Sequence, residues 1–345
     1  MLGGSAEPSN GQSKCTTLEG ELETDMRAWW QPLQEAIAQG AILKHSAVQT
    51  FLDKSAQMEA NASACTAEYD EIRMSIEGAP WFEAALTPQT AATKAKNRYR
   101  DVLPFEKTRV RVRTHANDSA GDYINANYIA GNEYIACCAP PPSAIVDFWS
   151  MVWHENVHVI LMLTNFIERQ MLKADMYWNA KGQAVQVGDV TVRLAAEEDS
   201  ARGYTTRVFE LTHPSEASTR LVHQVQLTTW PDHGVLQDYR VVEPMLHLVN
   251  ALNKRGENGA RRPIVVHCSA GIGRSGTFIA INIMLTQLRE AVVTADDARL
   301  ASALDVRAVV HRIRSERPGM VQTPEQYRMI YQYLRSYLTS GGGGH

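Results

Sequence analysis

Val266-His267-Cys268-Ser269-Ala270-Gly271-Ile272-Gly273-Arg274-Ser275-Gly276-Thr277-Phe278 is the stretch around which the chain is organised. An apolar run, Pro263 to Val266, leads into it and predicts a short buried strand. Phe278, Ile281, Met284, Leu285 and Leu288 follow at spacings of three and four, and predict a helix. The order is strand, tight glycine-bearing loop, helix. Gly271 and Gly273 let the backbone turn and aim successive N–H groups inward. Such a nest at a helix N-terminus binds an anion, because unpaired donors and the helix dipole both favour negative charge.

Cys268 opens this loop and Arg274 closes it. An ordinary thiol titrates near about 8.5 and is only a few per cent thiolate at neutral pH. Beside a helix N-terminus and a guanidinium the thiolate is favoured and the pKa falls. Arg274 offers a planar fork that matches two oxygens of a tetrahedral oxyanion, which Lys cannot do. A nucleophilic sulfur beneath a bound phosphate points to a cysteinyl-phosphate intermediate. Ser275 is placed to hydrogen-bond the sulfur when it leaves again. A nucleotide-binding loop is the competing reading, but that loop ends in Gly-Lys-Ser/Thr, and this one ends Gly273-Arg274-Ser275. Cys and Arg at this spacing alone also arise by chance; the whole string carries the reading.

A thiolate that attacks a phosphate ester leaves an alkoxide or phenoxide, which needs a proton. Trp230-Pro231-Asp232-His233-Gly234-Val235 supplies a carboxylate bracketed by Pro and Gly, as in a loop that closes over a site. Asp232 is the natural general acid, and in a second step the same carboxylate takes a proton from attacking water. Alone, Trp-Pro-Asp would read as an ordinary turn.

The thirteen-residue string resembles the signature of the cysteine-dependent protein tyrosine phosphatases, and the likeness to their classical, tyrosine-specific branch extends over roughly 270 residues. Asn97-Arg98-Tyr99-Arg100-Asp101 resembles the family's substrate-recognition loop. By that likeness Tyr99 stacks on the substrate ring and sets the pocket depth, and Asp101 binds the substrate backbone. Ser269, Ala270, Gly271, Ile272 and Gly273 would bind the phosphate, with His267 and Trp230 supporting. Asp122-Tyr123-Ile124-Asn125-Ala126 resembles a core strand of the family. Glu168 and Lys173 match the loop that pairs with the catalytic arginine and steadies the acid loop. Val321-Gln322-Thr323-Pro324-Glu325-Gln326-Tyr327 is similar to the glutamine loop, which implies that Gln322 positions the hydrolytic water and Gln326 assists. The resemblance implies an α/β fold: a central, highly twisted mixed β-sheet flanked by helices, with an N-terminal helical extension. It also implies a two-step hydrolysis of phosphotyrosine without metal or other cofactor, acting on tyrosine-phosphorylated proteins. A ring on a deep pocket wall independently favours tyrosine, since a short phosphoserine would not reach the sulfur.

Some positions depart from the family's pattern. Cys137-Cys138-Ala139-Pro140 stands where Thr-Gln-Gly-Pro is usual. Ala174, Asn179 and Leu236 replace a Cys and two Pro. None removes a chemical role; they bear on fine substrate preference. Cys138 has two readings, a partner that traps an oxidised Cys268 as a disulfide or a buried apolar residue. The Cys-Cys-Ala variant and the helical extension resemble protist, kinetoplastid-type members. A dual-specificity or lipid phosphatase is one alternative, with a shallower or more basic pocket. The lipid enzymes carry a Lys in this loop, and Ser269-Ala270-Gly271-Ile272-Gly273 has none. A phosphotyrosine-binding module without activity is the other, and it usually lacks the Cys, the acid or the Arg.

Around these motifs the totals are those of an ordinary globular chain: 345 residues, 44% hydrophobic, 21% charged. A net charge of −4 gives no electrostatic case for nucleic acid. No apolar run approaches the roughly 20 residues of a membrane helix, and Met1 to Lys14 lacks the apolar segment of a signal peptide. Five cysteines, odd in number and irregularly spaced, argue against a disulfide framework and for a reducing, cytoplasmic setting. No Cys/His cluster has metal-ligand spacing. A monomer of the non-receptor type is expected.

Residues 1–20 read as disordered, 21–64 as a helical extension packed on the catalytic domain, 65–338 as that domain, and 339–345 as a flexible tail. Met26, Trp29, Trp30, Leu33 and Ile37 form a helical stripe, whose tryptophans are expected to pack on the domain. Residues 89–96 read as a connector. Ala184–Leu194, Tyr204–Leu211 and Leu221–Thr228 read as an antiparallel set. Thr323, Pro324 and Gln326 read as a capping box that starts the last helix.

Overall fold

The computed structural model describes residues 18–113, 119–231, 234–236, 239–253, 262–294 and 296–340. Three helices come first, α1 (Leu18–Ala38), α2 (Ser46–Ala60) and α3 (Ala62–Glu77), then two short ones, α4 (Phe82–Ala85) and α5 (Ala91–Ala95). Strands β1 (Arg109–Arg111), β2 (Tyr123–Ile129) and β3 (Tyr134–Cys137) lead to α6 (Ile145–His154) and β4 (Val159–Met162). A small hairpin, β5 (Ile167–Glu168) and β6 (Met171–Leu172), stands apart from the main sheet. Next come β7 (Ala184–Val187), β8 (Val190–Asp199), β9 (Tyr204–His213) and β10 (Glu216–Leu227). The chain ends with α7 (Val242–Leu252), β11 (Ile264–His267), α8 (Gly273–Thr294), α9 (Asp297–Ala303), α10 (Val306–Glu316) and α11 (Pro324–Ser340).

Nine strands form one mixed sheet in the order β1-β2-β3-β11-β4-β10-β9-β8-β7. The pairs β3/β11, β11/β4 and β4/β10 are parallel, and the remaining neighbours are antiparallel. Strands β3, β11 and β4 are buried on both faces, so they run apolar without alternation. Their alternate residues feed two cores. Ile264, Val266 and Cys268 face one, with Val159, Leu161 and the apolar stripes of α1, α2, α3, α7, α8, α10 and α11. Val265 faces the other, with Ile160, Met162, Phe148 and Trp149 of α6, and Phe209 of β9. The first part of α8, Gly273 to Leu285, is buried on every side. It therefore shows no amphipathic stripe, as a helix enclosed by its neighbours should. This leaves the carboxyl end of the central strand β11 and the N-terminus of α8 meeting in one place, where open α/β sheets bind ligands.

The sequence-based outline differs from this in a few places. Helix α1 already begins at Leu18, and the rest of the residues expected to be disordered lie outside the described ones. Helix α3 runs across the 64/65 division without a break, and α1 and α2 share a core with the sheet. Trp30 is fully buried there, with Trp29 packed beside it. The supposed connector at 89–96 contains α5, because a Thr90–Thr93 capping box starts a helix that has no apolar periodicity to announce it. The 184–194 run is two strands, split at Gly188, whose φ of +62° makes a tight turn. Asp296 caps α9, which likewise has no apolar stripe in the sequence. At α11, Thr323 Oγ1 caps the Gln326 N–H at 3.2 Å, but Gln326 does not return the bond to Thr323. Its side chain serves Gln322 instead.

Candidate active site

Cys268 follows β11 directly, and four residues turn the chain into α8. Gly271 is the residue that makes the turn possible, with φ +71°. A Cβ there would lie 1.9 Å from the Cys137 carbonyl oxygen, so glycine is required on space as well as conformation. Gly273 has no such φ; a Cβ there would press on Gln322 Oε1 and Gln326 Nε2 at 3.0 Å. The loop's carbonyls are tied outward by Arg317, which is fully buried. Its Nε donates to the Gly271 carbonyl at 2.9 Å and its Nη2 to that of Ala270 at 3.1 Å. The same guanidinium donates to Asn127 Oδ1 at 2.8 Å and Asn125 Oδ1 at 2.9 Å. In a trans peptide, a carbonyl drawn outward turns the next N–H inward. Gly271 N–H accordingly points at Cys268 Sγ, 3.3 Å away.

Burial alone would raise the Cys268 thiol. The Arg274 guanidinium, the Ser275 hydroxyl, and the Ser275 and Gly271 N–H groups outweigh it, and the pKa lies below that of an ordinary thiol. The Ser275 hydroxyl is buried without a well-formed hydrogen bond, and its interaction with the sulfur is among those that lower the thiol. His267, fully buried, holds the loop from behind. Its Nδ1 lies 3.1 Å from the Cys268 carbonyl, which can only accept, so Nδ1 carries the proton. Its Nε2 then accepts from Tyr177 O–H at 3.0 Å, while Gln224 Nε2 donates to the same phenol oxygen at 2.6 Å. Burial pushes the imidazole down to about 4, so it is neutral at neutral pH.

Arg274 is 2% exposed and pre-oriented by three groups. Its Nη1 donates to Glu168 Oε1 at 2.7 Å and to the Trp230 carbonyl at 2.9 Å, and its Nη2 to Thr164 Oγ1 at 3.2 Å. Glu168 is fixed in turn by Thr164 Oγ1 at 2.9 Å and Asn165 N–H at 3.0 Å. The hairpin turn at Arg169 and Gln170, both with positive φ, brings it there.

A pocket of about 380 Å³ opens above the sulfur. Tyr99 forms one wall, with Asp101 exposed on the lining, and Lys173, Gln322 and Gln326 close other sides. Tyr99 O–H lies 2.8 Å from Ser269 Oγ, which itself donates to the Lys173 carbonyl at 2.6 Å, so the phenol is the donor. The Tyr99 loop is clipped in place by Asn97 and Arg98. Asn97 Oδ1 accepts from Tyr123 O–H at 2.6 Å and Asn125 Nδ2 at 2.9 Å. Arg98 donates to the Ala139 and Pro140 carbonyls and to Asp175 Oδ2 at 2.9, 3.2 and 2.5 Å. Gln326 is buried and its Oε1 accepts the Gln322 N–H at 2.9 Å.

The structure thus brings Cys268, Arg274, Ser275, Tyr99, Asp101, Glu168, Lys173, Gln322 and Gln326 to one place with residues 269–273. Trp230 is buried beside them, its Nε1 donating to the Gly234 carbonyl at 3.1 Å. Asp232 and His233, the expected acid and its neighbour, lie outside the described residues. Arg317, Arg98 and Thr164 were not singled out in the sequence. Arg317 and Arg98 find partners distant in the chain or in backbone carbonyls, Thr164 joins Glu168 four residues on to the distant Arg274, and no local pattern marks a residue that will hold a loop. Among the described residues, no group of three His, Cys, Asp or Glu side chains is arranged to hold a metal ion. No described helix is long and apolar enough to cross a membrane.

Residues 93–336 match the family described as "Protein-tyrosine phosphatase". The chain is 36% identical over 279 residues to human "Receptor-type tyrosine-protein phosphatase eta", a match that covers 79% of this chain and 19% of that protein. It is 38% identical over 268 residues to "Tyrosine-protein phosphatase 3" of Dictyostelium discoideum, covering 76% of this chain and 26% of that one. It is 36% identical over 305 residues to rat "Receptor-type tyrosine-protein phosphatase V", covering 86% and 16%. The chain therefore spans about a quarter or less of the length of these relatives. A match over most of the chain, with the cysteine, the arginine and the N–H cradle arranged as described, makes it a member of the protein-tyrosine phosphatase family.

Proposed function

We propose that the chain hydrolyses phosphotyrosine in proteins to tyrosine and phosphate in two steps. Cys268 thiolate attacks phosphorus, the bond to the tyrosine oxygen breaks, and Asp232 gives that oxygen a proton. Arg274 and the N–H groups of residues 269–273 bind the equatorial oxygens, where charge must be met. Water then attacks the cysteinyl-phosphate, Asp232 takes its proton, and sulfur leaves as thiolate, stabilised by Ser275. Gln322 orients that water, with Gln326 holding its backbone. Tyr99 lines the substrate ring and Asp101 binds the substrate backbone, while Glu168, Lys173, His267 and Trp230 support the loops. The catalytic unit runs to residue 338 and includes the helices ahead of the sheet, which share its core, and works as a monomer in a reducing, cytoplasmic compartment.

The observation that carries the reading is the lowered thiol of Cys268, seated beside Arg274 at the N-terminus of α8, under a pocket walled by a tyrosine. The test is steady-state hydrolysis of matched phosphotyrosine, phosphoserine and phosphothreonine peptides, with chelator present. Turnover of phosphotyrosine alone is expected. Comparable turnover of phosphothreonine would discard the tyrosine assignment, and no turnover of any peptide would favour a binding module. Asp232→Ala should slow turnover by about 10²–10⁴ and trap substrate; a wild-type rate would mean that another group is the acid. Vanadate, which mimics pentacoordinate phosphorus, should inhibit.

A further inference from the structure

None of the three N-terminal helices contributes a side chain to the pocket, yet α3 reaches the loop that carries Gln322. Val321, the residue before it, is fully buried with φ +59°. A β-branched residue in the left-handed region is strained, and it stays there only when its surroundings over-determine it. Those surroundings are specific. Val321 N–H donates to the Ile272 carbonyl of the phosphate loop at 3.1 Å. Arg314 Nη1 donates to the Val321 carbonyl at 2.9 Å and the Met320 carbonyl at 3.2 Å. A Cβ on Gly276 would lie 2.4 Å from Val321 N, so α8 packs against the loop directly.

Besides the Gln326 side chain, which accepts the Gln322 N–H, α3 adds restraints of its own. Tyr69, 3% exposed, donates its O–H to the Gln322 carbonyl at 2.6 Å. Glu77 holds Arg314 Nη2 at 2.6 Å. Tyr69 also lies 3.3 Å from Arg314 Nη1, so one phenol bridges the arginine and the glutamine loop. Burial raises the phenol despite Arg314, which keeps it a donor at neutral pH.

We propose that Tyr69 is a positioning residue for the second half-reaction, fixing the backbone from which Gln322 orients the attacking water. The inference rests on the reading of Gln322 given above. In the first half-reaction the attacking atom is sulfur and the leaving group takes its proton from Asp232, so neither event needs Gln322. In the second, a water oxygen must lie in line with the sulfur–phosphorus bond, and misplacement is costly. The helices ahead of the sheet are then part of the hydrolytic device.

Rapid-quench measurement of cysteinyl-phosphate, formed from an aryl phosphate, separates its formation from its decay. Tyr69→Phe keeps the ring and removes the hydroxyl. It should leave formation within about twofold and slow decay about three- to tenfold. Gln322→Ala should show the same split, and adding Tyr69→Phe to it should slow decay no further, because both act through one group. If Tyr69→Phe slows both steps alike, or neither, while Gln322→Ala splits them, the role of Tyr69 is overturned. If Gln322→Ala itself slows no decay, the reading of Gln322 fails first and the proposal falls with it.

Discussion

Cys268 and Cys138 stand just past the ends of neighbouring parallel strands, β11 and β3, where His267 pairs with Cys137. Both are buried, at 4% and 6% exposure, and burial is the largest influence on each. They titrate in opposite directions. The Cys138 thiol is raised although Arg317 and Arg98 both act to lower it. The Cys268 thiol is lowered. A nearby guanidinium is therefore not enough. Cys138 has backbone N–H contacts too, yet burial prevails there; at Cys268 the Arg274 guanidinium, then the Ser275 hydroxyl and the Ser275 and Gly271 N–H groups at the positive end of α8, together outweigh it. The Arg274 charge and the loop together lower the Cys268 thiol.

Replacing each thiol is the severest way to break this contrast. Cys268→Ser should drop turnover below about a hundredth of wild type while substrate still binds, because a hydroxyl is not ionised at neutral pH. Cys138→Ser should stay within about tenfold. Equal losses would mean that the two sites do not differ in kind. Gly271→Ala tests the loop with both cysteines intact. Its Cβ would strike the Cys137 carbonyl, so the N–H cradle must open. Turnover should fall about 10²-fold, the Cys268 thiol should titrate higher, and melting should fall by several degrees, about what a strained residue costs. A variant with wild-type thiol titration would show that the cradle is not the cause.

Most of this site was legible in the sequence because its parts are local. Cys268 to Ser275 is one strand–loop–helix unit, and Gln322 to Gln326 is one helix start. The framework was harder. Strand β11 was readable as an apolar run, whereas α5 and α9 rest on side-chain caps with no periodic stripe. The residues that hold the loops were not readable. Arg317 contacts Asn125 and Asn127 from about 190 residues away, and Tyr69 reaches Gln322 across about 250. Only the folded chain brings such pairs together. For Cys138, the raised thiol favours the buried apolar reading over that of a redox partner.

A smaller effect sharpens the picture of the strand beneath the loop. His267 titrates near about 4 when folded and near about 6.5 when unfolded. Between those values the unfolded chain takes up a proton that the folded chain refuses. Its contribution is thus complete above about pH 6.5 and is lost as pH falls towards 4, by about 3 kcal/mol in all. Urea unfolding at pH 7, 6 and 5 should show a steeper decline for wild type than for His267→Gln, which does not titrate. Equal slopes would contradict a neutral buried imidazole.

The pH dependence of alkylation by iodoacetamide, followed cysteine by cysteine with mass spectrometry on the folded protein, tests the central claim most directly. Cys268 should react with a midpoint clearly below the value of about 8.5 for an ordinary thiol, while Cys137 and Cys138 stay unmodified until the chain unfolds. A Cys268 midpoint at or above that of an ordinary thiol, or a Cys138 that reacts as readily, would contradict it.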